Sequence, residues 1–115
     1  MSDFKTRLVI AMLPESEDQS WILLEDLVYQ SDLFGEIKVP VGFVTNFVSF
    51  EALKNIGQRP AVVHDYCYYS GRLSREDADD MLCEALRTVG VNGLLAESMH
   101  IACRLFGTTH YRSGL

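Results

Sequence analysis

Short runs of β-branched and aliphatic residues separated by polar stretches fill residues 5–39, whereas from residue 60 the apolar positions recur at the three- and four-residue spacing of a helix face. The first pattern predicts strands and the second helices. β-Branched and aliphatic residues at 5–13 predict a first strand, and the polar run 14–20, headed by Pro14, predicts a turn. Residues 21–24 and 27–30 read as one strand broken near Glu25-Asp26 or as two short ones. A helix over 21–29 is the competing assignment, which Ile22, Leu23, Leu27 and Val28 leave open. A turn at 31–35 then returns the chain as a strand at 36–39, giving a small N-terminal antiparallel sheet. Pro40 cannot donate to a central ladder and Gly42 marks a turn, so residues 39–46 are expected to leave the sheet.

The rest of the chain predicts helices. Residues 49–56 suit a short one, capped by Ser49 and ended by Gly57. Pro60 in a first turn and Gly71 as a stop bound a helix over 60–70. Ser74 followed by Asp77 resembles a capping box, and Met81, Leu82, Ala85, Leu86 and Val89 give the next helix its apolar face before Gly90. Asn92 caps a third, with Leu95, Met99, Ala102, Leu105 and Phe106 as its apolar stripe before Gly107. Strands followed by helices, rather than alternating with them, predict an α+β fold whose three-helix segment contains an antiparallel helical hairpin.

A chain of 115 residues that is 48% hydrophobic and 23% charged fits a single domain over residues 1–115. Sixteen acidic against ten basic residues give a net charge of −6, the wrong sign for holding nucleic acid through its phosphates. Cys67, Cys83 and Cys103 are odd in number and form no C-x-x-C pair, so neither a disulfide framework nor a cysteine zinc site is expected. The apolar run 8–13 is too short for a transmembrane segment, and the polar residues after it carry no cleavage pattern. The expected location is the cytoplasm in which the chain is made.

Chemistry concentrates at residues 61–69, where His64, Asp65 and Tyr68 lie in an apolar helix. His64 and Tyr68 are one turn apart on one face, while Asp65 points about 100° away. If the helices on either side of residues 71–72 form an antiparallel hairpin, His64 and Asp79 reach the same depth. Asp79 then orients one imidazole nitrogen, the other is placed to take a proton from water, and Asp65 is available for a cation. Asn46 and the carbonyls near Gly42 are candidate further oxygen ligands. His64, Asp79 and Tyr68 would satisfy one another equally well as a purely structural network. Cys67 and Cys83 read as small apolar residues, and His100 and His110 as surface or packing positions.

His64-Asp65-Tyr66-Cys67-Tyr68 resembles the H-D-x-C-Y signature of secreted phospholipase A2, and Ala78-Asp79 resembles the A-D of that enzyme's viral-capsid relatives. The resemblance implies His64 as general base, Asp79 and Tyr68 as the groups that hold it, Asp65 as a calcium ligand, and an ester or lipid substrate. The glycine-rich calcium loop of those enzymes is replaced by a region with only Gly42 and Gly57, and the position just before Asp79 is Ala78, not a cysteine that could pair with Cys67. A longer resemblance, from residue 21 to about 107, links Val39-Pro40-x-Gly42-Phe43-x-Thr45, His64-Asp65-x-x-Tyr68 and Ser74-Arg75-x-x-Ala78-Asp79. These segments are similar to an uncharacterised small-protein family of tailed bacteriophages and prophages, with Asn46 where that family usually has aspartate. That implies synthesis in the host cytoplasm, a place in or near the virion, and virion proteins or lipid as partners. Two functions follow as expectations. One is a hydrolase-like domain using His-activated water; the other is a non-enzymatic virion or tail component.

Overall fold

The N-terminal apolar runs are realised, in the computed structural model, as short strands set against helices; residues 1–13, 20–45 and 57–106 are described. Strands β1 (Asp3–Phe4), β4 (Leu27–Ser31) and β5 (Gly35–Val39) form one antiparallel sheet in the order β1-β4-β5. Strands β2 (Ile10–Met12), β3 (Trp21–Leu23) and β6 (Val44–Thr45) form a second, in the order β2-β3-β6. The fold is α+β, as the pattern predicts, but the expected single sheet is two.

The division has a side-chain cause. Thr6 Oγ1 donates to the Asp26 carbonyl at 3.3 Å and accepts the Val28 amide at 3.0 Å, fixing a bend between β3 and β4. Asp26 Oδ1 also accepts the Val41 amide at 2.7 Å. Residues 5–13 therefore form no continuous strand, and residues 21–29 form two strands instead of the competing helix. Residues 39–46 do not simply leave the sheet, because Val44 and Thr45 return to pair with Ile22 and Trp21. The polar run 14–19, the expected helix at 49–56, Asn46 and His110 lie outside the described residues.

Within β4 the side chains of Leu27, Tyr29 and Ser31 are buried, and across the ladder Leu27 faces Val39 while Tyr29 faces Ile37. This period-two face meets helices α1 (Gln58–Ser70) and α2 (Arg75–Thr88). Val62, Val63, Met81, Leu82 and Leu86 supply the opposing apolar surface and have no solvent exposure. Close approach is needed at Gly57, where an added Cβ would lie 2.5 Å from Leu86 Cδ2.

Helix ends follow the expected chemistry. Gly71 adopts a left-handed conformation with φ 69° and returns its amide to the Cys67 carbonyl, ending α1. Ser74 Oγ accepts the Asp77 amide at 3.1 Å, while Glu76 and Asp77 complement the helix dipole at the start of α2. Asn92 Oδ1 accepts the Leu94 amide at 2.8 Å before α3 (Gly93–Phe106), which packs on α2. The buried residue at the start of α3 is Ala96 rather than the expected Leu95, which is 38% exposed. The side chains of Met99, Ala102, Leu105 and Phe106, expected in the same stripe, lie outside the described set.

A polar bolt joins α2 to the first sheet. Glu84 accepts from Tyr29 Oη at 2.5 Å, Ser31 Oγ at 2.7 Å and the Leu33 amide at 3.2 Å. Burial, followed by the bond to the Glu84 carboxylate, pushes the Tyr29 phenol well above its ordinary range. Replacing Glu84→Ala strips three donors of their acceptor and should destabilise the fold by about 2 kcal/mol. Urea unfolding of the full chain checks this; an unchanged midpoint would mean that Glu84 does not anchor α2.

Candidate functional site

Among the described residues the buried polar side chains are Ser31, Thr45, His64 and Asp79. Burying such groups is unfavourable unless each finds a hydrogen-bonding partner, so their contacts locate the specific interactions of the interior. His64 and Tyr68 project from one face of α1, and Asp79 comes from the second turn of α2. The Gly71 turn brings them together.

His64 Nε2 lies 2.8 Å from Asp79 Oδ1, and Tyr68 Oη donates to the same oxygen at 2.6 Å. The His64 and Tyr68 rings are in tilted contact, with centroids 4.3 Å apart and planes at 41°. His64 and Asp79 are both 0% exposed, and Tyr68 is 1% exposed. An ionised carboxylate only accepts, so the Asp79 contact assigns the proton to His64 Nε2 and the ring lone pair to Nδ1. Asp79 Oδ2, also buried, has no hydrogen-bond partner among the described residues, so both donors converge on Oδ1.

Asp65 faces elsewhere. It is half-buried, and its Oδ2 accepts Thr45 Oγ1 from β6 at 2.6 Å. The structure thus brings His64, Asp79 and Tyr68 into one network and sets Asp65 against the strand beside it. No group of three His, Cys, Asp or Glu side chains able to hold a metal ion occurs among the described residues. Phe43 packs edge-on against Tyr66 at 5.3 Å and tilted against Tyr69 at 6.0 Å, on the Asp65 side of α1.

Two clusters escaped the sequence pattern. His100 Nε2 lies 2.7 Å from Asp80 Oδ1 and its Nδ1 lies 3.4 Å from Glu97 Oε1, tying α3 to α2. No motif spacing joins Asp80 to His100; only the packing of the two helices does. The Glu84 bolt is equally nonlocal, although a glutamate between Met81 and Ala85 on a buried face was an available signal.

The sequence pattern of the family described as Protein of unknown function (DUF1353) matches residues 21–103, a span that contains His64, Asp65, Tyr68 and Asp79. No curated protein and no solved structure matches the chain. No helix among the described residues is long and apolar enough to cross a membrane.

Removing either support of the buried network has a defined consequence. Tyr68→Phe deletes one of the two hydrogen bonds to Asp79 Oδ1 and should cost about 1–2 kcal/mol, whereas Asp79→Ala, which strands a buried imidazole, should cost about 3–5 kcal/mol. Equal losses in chemical denaturation would contradict this ordering.

Cys67 gives a pH prediction. Burial pushes its thiol from 9.0 up to about 12. The unfolded thiol ionises first, so the chain should lose stability as pH rises from 9.0 toward about 12. A Cys67→Ala variant should lose less over that interval, and a parallel loss in both would contradict the assignment.

Proposed function

The chain belongs to the DUF1353 family, and we propose that it is a phage-type hydrolase-like domain in which His64 activates water for attack on an ester, with lipid esters as the substrate class. The observation that carries this is the 2.8 Å contact between His64 Nε2 and Asp79 Oδ1. It gives the imidazole the tautomer and the anionic support that a general base needs.

In this mechanism His64 Nδ1 takes a proton from water as the water oxygen attacks the ester carbonyl. Asp79 stabilises the imidazolium that forms, Tyr68 holds Asp79 in place, and the imidazolium returns the proton to the leaving alcohol. The carbonyl carbon gains the water oxygen and loses the alkoxide, so atoms and charge balance. Because His64 is 0% exposed, water and substrate reach it only after the α1 face opens.

The phospholipase resemblance also implies calcium, with Asp65 as the side chain that would hold it; Asn46 is a candidate further oxygen ligand from the sequence itself. Among the described residues the donor set does not fit such a site: no cluster of three metal-binding side chains is present, and Asp65 Oδ2 accepts the Thr45 hydroxyl. No step is therefore routed through the ion.

Complete burial of His64 and Asp79 favours a second reading. In it the protein is a non-enzymatic virion or tail-associated component and the network locks the α1–α2 hairpin. The two readings separate in an assay of a chromogenic ester and of phospholipid vesicles. The hydrolase reading expects turnover by the full chain and a loss of about 10²–10⁴-fold in His64→Gln, with the variant shown to be folded by circular dichroism. Equal rates for the two folded proteins, or no turnover by the native chain, would leave the structural reading.

A further inference from the structure

The outer side of α1 carries an aromatic group that the buried network does not use. Phe43 meets the Tyr66 ring at an interplanar angle of 88° and the Tyr69 ring at 58°. Tyr69 is 59% exposed, and Phe43 and Tyr66 are partly exposed. Phe43 and Tyr66 rest partly on the core, and the cluster still presents ring surface to solvent, chiefly at Tyr69.

A carboxylate stands at one end of this surface. Asp65 precedes Tyr66 in α1 and lies one turn before Tyr69, which places both on one helix face. Phe43 and Thr45 are two residues apart and so share a side of their extended segment. Phe43 meets Tyr66 and Tyr69 there, while Thr45 binds Asp65 Oδ2 at 2.6 Å. Strand and helix thus set an oriented anion beside exposed aromatic rings.

We propose that Phe43, Tyr66 and Tyr69, with Asp65, bind a quaternary ammonium group, the trimethylammonium head of a choline-type ester or lipid. Ring faces attract cations through their quadrupole, and the attraction grows as the cation becomes easier to desolvate. A metal ion or primary ammonium holds its water strongly. A trimethylammonium group brings methyls that pack on rings and a diffuse charge that Asp65 complements, and the net charge of −6 adds a field of the favourable sign. This assignment rests on the hydrolase reading for its choice of an ester or lipid, while the binding itself does not require catalysis.

Titration of the full chain with tetramethylammonium and with choline, followed by the ring-proton resonances of tyrosine, tests it. Saturable binding is expected, with shifts at Tyr66 and Tyr69. The uncharged isostere dimethylbutanol should bind about tenfold more weakly. Tyr69→Ala, at an exposed position that leaves the core intact, should weaken choline by about tenfold, and Asp65→Asn should weaken choline more than dimethylbutanol. Equal affinity for choline and dimethylbutanol, or unchanged choline affinity in Tyr69→Ala, would overturn the proposal. Sedimentation with phosphatidylcholine rather than phosphatidylglycerol vesicles assigns the group to a lipid head. Choline binding without sedimentation assigns it to a soluble ester, and either supports the site. A folded His64→Gln chain should still bind choline, so a failure of catalysis is distinguishable from a failure of the cation site.

Discussion

Everything in the helical half depends on a carboxylate being buried where water does not reach it. Asp79 has no solvent exposure, and an isolated ionised carboxylate in such a place would be strongly destabilising. It is tolerated because His64 and Tyr68 both deliver donors to one of its oxygens. That requirement sets the depth at which α1 and α2 pass each other, since a shift of one residue in either helix would turn a donor away and leave the charge unmatched.

The sheets respond to the same packing from the other side. Glu84, on α2, gathers Tyr29, Ser31 and the Leu33 amide, and Gly57 lets the start of α1 come against Leu86. Helix α2 is thus held through Asp79 toward α1 and through Glu84 toward β4, with Met81, Leu82 and Leu86 filling the apolar space between. On the far side of α1, Thr45 and Phe43 engage residues that the buried network leaves outside it. One helix therefore carries a buried hydrogen-bonded face, with His64 and Tyr68, and a partly exposed aromatic face, with Tyr66 and Tyr69.

The helices were legible because their signals are local: Pro60 near the start of α1, Gly71 at its end and Ser74 before α2 each act within a turn of themselves. The His64–Asp79 contact was legible too, because a tight antiparallel hairpin fixes which residues share a depth. The divided sheet was not, since its bend depends on Thr6 reaching Asp26 and Val28 across the fold. Strand β6 is only two residues long, too short for alternation to reveal. For α3 the apolar spacing pointed to Leu95, while the face that meets α2 carries Ala96 and His100, the latter drawn in by Asp80. Apolar periodicity misses a helix face that docks partly through charge.

By its contact at 2.8 Å, Asp79 holds the His64 proton on Nε2 and leaves the lone pair on Nδ1. Long-range proton–nitrogen correlation on histidine-labelled protein reads the tautomer directly. A protonated Nε2 and an unprotonated Nδ1 are expected for His64 in the neutral ring, with the Nε2 proton shifted downfield by its bond to Asp79. A proton on Nδ1 with a bare Nε2 would contradict it, since Asp79 would then have to be the donor and His64 would have no lone pair to offer water at that nitrogen.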